Sequence, residues 1–249
     1  IAKVAKIFRP ESFAEINYKD YFAVTDRLIG FSASGLTGVW AKENTREEIY
    51  DAFRRKETFA TSGPRIKVRF FSGYNFEDSK INDLELIQKA YANNLSMGST
   101  INIEEGRIPK FLVWAIADSM GAPLQRIQII KGWLENGEHR EKVYDVACSD
   151  GLVVNSSTFR CPDNGAKVDI ENCSISENLG ASELKTFWVD PDFLKDQRAF
   201  YYARVLENPV CRWSTWDSIR EGVKPRSDIP TTIQERAWTS PIWFEPTNS

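Results

Sequence analysis

Histidine is almost missing: of 249 residues only His139 is one, and it lies in "ENGEHREKVYDV", among charges beside an expected turn. Zinc hydrolases, metallo-phosphoesterases and histidine-dependent triads draw on several imidazoles, or on one held in a pocket. The chain by itself is therefore not expected to be a self-sufficient metalloenzyme. No D-x-D-x-D-G calcium loop is present either, which leaves only carboxylate sites for magnesium or calcium open. A basic excess is lacking as well. With 32 Lys+Arg against 35 Asp+Glu, the net charge of −3 offers no footprint for phosphate backbones, so no nucleic-acid partner is expected. No apolar run approaches the roughly 18 residues of a membrane-spanning helix. The phosphate-cradle patterns G-x-x-x-x-G-K-[ST] and G-x-G-x-x-G are absent, so Gly30, Gly35 and Gly38 in "LIGFSASGLTGVWA" read as a small-residue loop. The chain opens "IAKVAKIFRPESF", without Met and without an apolar signal core, and is expected to be the interior of a longer polypeptide.

The four cysteines, Cys148, Cys161, Cys173 and Cys211, are too few for a disulfide-built scaffold. Cys161 and Cys173 bracket the polar loop "CPDNGAKVDIENC", whereas the other two adjoin apolar strand-like runs. A bridge, if formed, is expected between Cys161 and Cys173, and it would imply an oxidising, periplasmic or secreted setting. Free buried thiols are the alternative, since four cysteines allow three full pairings.

Aromatic residues are plentiful, at 12% with eight Trp, which suits pleated, half-buried surfaces. The first helix is expected over Arg46 to Lys56. Thr45 and Glu48 have the spacing of a capping box, and Ile49, Ala52 and Phe53 form an apolar stripe. Gly63 and Pro64 forbid its continuation. In "IKVRFF" the period becomes two, with Ile66, Val68 and Phe70 on one side and Lys67 and Arg69 on the other. A second helix is expected over Asp83 to Ala92, and "NNLSMGSTINIEEGRIP" reads as a long connection. "FLVWAIA" should be a central strand. "LQRIQIIKGWL" and "REKVYDVAC" flank Asn136-Gly137, the dipeptide suited to a type I′ hairpin turn. "LKTFWV" and "RAFYYARVLE" add strands, and the apolar tail "TTIQERAWTSPIWFEP" should be strapped to them. The order and its Gly/Pro/Asn/Asp punctuation predict a mainly β protein with some α, built as an antiparallel β-sandwich.

Two further features have a functional and a plain reading. Trp133, Trp188, Trp213, Trp216, Trp238 and Trp243 could form a sugar-stacking platform, but sandwiches also bury Trp, and core is the expectation. "DPDF" from Asp190 and "CSDG" from Cys148 bring carboxylates near turns, which turn chemistry explains more simply than a metal does.

Four phrases together carry a resemblance: "GFSASGLTGVWAKENTREEIYDAFRRKETFATSGPRI", "LQRIQIIKGWLENGEHREKVYDVA", "RAFYYARVLENPVCRWSTWD" and "IQERAWTSPIW". They resemble the C-terminal part of domain-of-unknown-function family 3604, whose members look like metal-dependent hydrolases of the polymerase-and-histidinol-phosphatase (PHP) type. The resemblance implies that residues 1–64 are the C-terminal remnant of a PHP-like α/β barrel and residues 65–249 the sandwich appended to it. The joint is then "TSGPR". It also implies a divalent metal held by an N-terminal domain upstream of this chain, which would be the chain's partner. This part is expected to hold no cofactor and to be inactive alone. Thr61, Ser62 and Arg65 are the candidates for a wall of that active site, because sites gather on loops at a barrel's end. The plain reading is that Thr61 and Ser62 satisfy backbone groups. Against the hydrolase reading stand a ligand- or carbohydrate-binding sandwich and a structural domain that mediates a homo-oligomer.

Overall fold

The computed structural model of the protein describes residues 34–77, 81–83, 85–93 and 95–247. The chain's opening stretch and Gly30 lie outside them. Along the chain come β1 (Leu36–Val39), α1 (Arg46–Arg54), β2 (Thr58–Thr61), β3 (Lys67–Gly73), α2 (Leu86–Asn93), β4 (Leu95–Ser96), β5 (Thr100–Asn102) and β6 (Lys110–Ile116). The second half adds β7 (Leu124–Glu135), β8 (Glu138–Cys148), β9 (Glu183–Val189), β10 (Ala199–Glu207), β11 (Val210–Cys211), α3 (Trp213–Arg220), β12 (Thr232–Ile233), β13 (Arg236–Thr239) and β14 (Ile242–Glu245).

These strands form the expected mainly β fold, two larger antiparallel sheets face to face with β14 and β5 the one parallel pair among the described residues, and a separate antiparallel pair, β11 and β12. The larger sheet is built on the β7–β8 hairpin. Asn136 and Gly137 turn it with φ of 54° and 82°, the positive values that a type I′ turn demands at both central positions. β10 pairs along β7 from Ala199↔Trp133 to Glu207↔Leu124. The tail runs beside the other edge of β10, first as β13 (Arg204↔Trp238) and then as β14 (Tyr201↔Ile242), with one extra residue between the two registers. β13 in turn pairs β2, and β2 pairs β1, so the strands on either side of α1 share the sheet of the tail. The smaller sheet has the order β4-β3-β6-β9, which places "FLVWAIA" centrally, as its apolar run predicts.

The core fills the space between the sheets. Val68, Phe70, Phe111, Val113 and Ala115 face Ile127, Ile129, Tyr201, Ala203, Val205 and Phe244, all fully or almost fully buried. On the outer side of the smaller sheet, Leu86 and Ala90 of α2 cover Phe71 and Leu112. That helix explains why β3 is buried on both faces toward its end. α1 begins as its capping box predicts, with Thr45 Oγ1 accepting from Glu48 N at 3.3 Å. It ends at Arg54 rather than Lys56, because Lys56 takes a left-handed φ of 57° that a helix cannot hold.

Three expectations need correction. The connection expected over 93–109 contains β4 and β5, and it is tied into the sandwich where Met97 N donates to Phe70 O at 2.9 Å and Ile103 N to Glu245 O at 2.9 Å. Part of the small-residue stretch before Trp40 is β1. The disulfides are Cys148–Cys161 and Cys173–Cys211, with Cα separations of 5.7 and 5.6 Å, not Cys161–Cys173. The cause of the last is the path of the loop. Asp145 accepts from Cys161 N at 2.7 Å and draws that residue back beside the end of β8, where Cys148 stands. No helix among the described residues is long and apolar enough to cross a membrane.

Candidate functional site

The "TSGPR" corner is tightly stitched. Thr61, the last residue of β2, is buried, and its Oγ1 accepts from Gly63 N at 3.3 Å. Ser62 bridges to the tail: its N donates to Arg236 O at 2.9 Å, its Oγ accepts from Arg236 N at 2.8 Å, and the same hydroxyl donates to the Glu235 carboxylate. Arg65 N donates to Asp118 Oδ2 at 2.7 Å, and Met120 N to Asp118 Oδ1 at 3.0 Å. Those two backbone donors hold the Asp118 carboxyl below its usual pKa, and the nearby Arg65 guanidinium acts in the same direction. Thr61 and Ser62 thus spend their hydroxyls on the corner itself, while the Arg65 side chain is exposed. Beside them lies Glu207, 1% exposed, whose Oε1 has no hydrogen-bond partner. Burial raises its pKa to about 8, and the neighbouring Glu235 and Asp118 charges push the same way.

A different arrangement occupies the outer face of the larger sheet. Strand β10 alternates strictly: Ala199, Tyr201, Ala203 and Val205 point into the core, and Phe200, Tyr202, Arg204 and Leu206 point out and are half-buried. Ala199 and Ala203 face in beside Tyr201, and the rings of Phe200 and Tyr202 face out. Phe200 lies flat across the neighbouring strand, which is possible only because its cross-strand partner is Gly132. A Cβ there would stand 2.3 Å from Phe200 Cζ. Trp243 of β14 comes to 4.9 Å from Phe200 between ring centroids, and Tyr202 stacks at 15° to Phe200 at 6.4 Å. Phe200 and Trp243 border an open groove of about 790 Å³ that reaches Asn136 of the hairpin turn. Its rim carries Asn136, His139, Glu141, Gln197 and Arg198. Arg198 is held by Glu245 Oε1 at 2.8 Å, near the indole of Trp243. The Tyr202 hydroxyl is pushed above its usual pKa, first by burial and then by Glu141, so it remains a proton donor at neutral pH.

This groove gathers two of the expected Trp residues, Trp133 and Trp243. Trp188 is instead packed in the interior, 5.5 Å from Phe111 and 5.0 Å from Tyr144, and Trp216 stands 40% exposed on α3. Phe200 and Tyr202 were not singled out from the sequence. The signal that could have found them is the alternation of "AFYYARVLE", in which Ala occupies the inward register.

Among the described residues no group of three or more His, Cys, Asp and Glu side chains is placed to hold a metal ion. The divalent metal implied by the resemblance therefore has no fitting ligand set among them. His139 sits at the groove rim, and Asp150 is used to tie loops, accepting from Gly180 N at 2.8 Å and Asn164 Nδ2 at 3.0 Å.

A family model described as "Protein of unknown function (DUF3604)" matches residues 6–246 of the chain. No curated protein and no solved structure matches it.

Proposed function

The chain belongs to that family, and from this premise we propose that it is the sandwich part of a PHP-type metal-dependent hydrolase whose own work is to hold a saccharide. The hydrolase context rests on the four phrases that resemble the family's C-terminal part. In that context the preceding domain supplies the metal and its ligands, and the "TSGPR" corner presents Arg65 toward it. The half-exposed Phe53 and the exposed Tyr50 on α1 are where we place contact with that domain or with a second copy. The two disulfides fit an oxidising compartment, hence a periplasmic or secreted protein.

The saccharide reading is carried by one observation: Phe200 and Trp243 share a solvent-facing groove whose rim offers amide, carboxylate and guanidinium groups. An aromatic face receives the C–H face of a pyranose, and a few polar groups around it fix orientation through the hydroxyls. Tyr202 lengthens the platform along β10. The test is a titration of the chain with neutral oligosaccharides followed by tryptophan fluorescence and calorimetry. Saturable binding that Phe200→Ala and Trp243→Ala each weaken about tenfold or more, roughly 1.4 kcal/mol, is expected. Binding that ignores both substitutions would remove the reading.

A further inference from the structure

We propose that a second groove, on the outer side of the smaller sheet beside α1, is a receptor for a small molecule bearing an oxyanion: a carboxylate, a sulfate or a phosphate monoester. Its centre is Arg69 on β3. The guanidinium carbon lies 3.6 Å from the centroid of the Trp40 ring and 5.6 Å from that of Tyr91. One of its donors, Nη1, is used on Tyr91 Oη at 2.7 Å. Tyr91 Oη in turn donates to the carboxylate of Glu57, which is 5% exposed and also accepts from Ser96 Oγ at 3.0 Å. The burial of Tyr91 and the nearby Glu57 charge push the phenol up to about 12, so it keeps its proton and the relay keeps its direction.

This chain of contacts orients Arg69 without a direct ion pair. Among the described residues no carboxylate forms an ion pair with Arg69, and Glu57 is turned instead toward Arg55, 3.6 Å from its Oε2. A half-buried guanidinium stacked on an indole and joined to a carboxylate only through the Tyr91 hydroxyl keeps N–H donors that no ion pair uses. The same group suits recognition, because its remaining N–H donors form a rigid planar fork that matches an oxyanion bidentately. The surroundings agree. Lys42, Arg55 and Arg69 line the groove against the single carboxylate Glu57, so it is locally positive on a chain whose net charge is −3. Its volume of about 770 Å³ exceeds what an inorganic ion fills, and Trp40, Leu95 and Met97 give it an apolar wall for the body of the molecule. Trp40 is itself fixed, its Nε1 donating to Val68 O at 2.8 Å.

The site is independent of the Phe200 groove, so either can fail alone. The experiment is calorimetric and NMR titration of the chain, at low ionic strength, with inorganic phosphate, sulfate and glucuronate in parallel. At least one should bind saturably and weaken as salt is added, and the most tightly bound of the three assigns the anion. Arg69→Lys keeps the charge but removes the fork, and it should weaken that binding about tenfold. Lys42→Glu, at an exposed position that leaves the packing untouched, should weaken it several-fold. Thermal melts establish that each variant is folded, and Lys42→Glu keeps the test decisive if Arg69→Lys is not. Titrations that never saturate, or binding that stays within about twofold in the folded variants, would overturn the proposal.

Discussion

Lys131 Nζ and Asp190 Oδ2 form an ion pair at 2.8 Å between the two sheets, with side chains 3% and 0% exposed. The pair is fully dressed: Lys131 also donates to Asp192 O at 2.7 Å, and Asp190 accepts from Tyr201 Oη at 2.7 Å and from Asp192 N at 2.8 Å. Removing one partner strands a charge in the interior, which typically costs about 3–5 kcal/mol. Asp190→Asn should therefore lower the stability measured by urea unfolding by about that amount. Lys131→Met with Asp190→Leu, which removes both charges, should cost less than the single change. A single variant as stable as the parent would show that the pair is not buried in solution.

The hairpin turn makes a smaller, sharper claim. Gly137 has φ of 82° with nothing within 4 Å of where a Cβ would stand, so any penalty for substitution is a backbone penalty. Gly137→Val should destabilise by roughly 1 kcal/mol or more, because a β-branched residue is strained at positive φ. Gly137→Asn should be tolerated better. Equal melting temperatures for the two variants would contradict the turn.

That turn, the Thr45 cap and the Val68/Phe70 alternation were legible in the sequence because each is written in residues close together along the chain. What escaped is written across it. Lys131 lies in "IIKGW", where a lysine between isoleucine and glycine gives no hint that it faces inward; only the β7–β10 register, Lys131↔Tyr201, brings it beside Asp190. The groove around Phe200 was hidden for the same reason, since Gly132 and Trp243 join it only through pairing. Thr61, Ser62 and Arg65 were singled out beside the Gly63-Pro64 turn, but their partners Glu235 and Asp118 are supplied by distant segments.

The disulfide pattern can be read directly by peptide mapping under non-reducing conditions, which should return Cys148 linked to Cys161 and Cys173 linked to Cys211. Their sequence separations are 13 and 38 residues. On a chain-entropy account such loops stabilise by about 3 and about 4 kcal/mol. Reduction should then lower the melting temperature clearly, with Cys173→Ser/Cys211→Ser costing somewhat more than Cys148→Ser/Cys161→Ser. A linked Cys161–Cys173 peptide would reverse the assignment.

Glu207 gives the fold a pH dependence whose sign is set by its surroundings. Its folded pKa is raised to about 8 from an ordinary 4.5, chiefly by burial and secondarily by Glu235 and Asp118. Between those two values the unfolded chain has lost the proton while the folded chain still holds it. Stability from this group is complete below the unfolded pKa, falls as pH rises through the window, and levels off above the folded pKa. The total loss is on the order of a few kcal/mol. Glu207→Gln keeps the shape and has no proton to lose, so its melting temperature should change less from pH 5 to pH 8 than that of the parent. The gap should open in favour of the variant as pH rises. Parallel pH profiles for the two proteins would mean that Glu207 titrates normally, and that the "TSGPR" corner does not hold a protonated carboxyl at neutral pH.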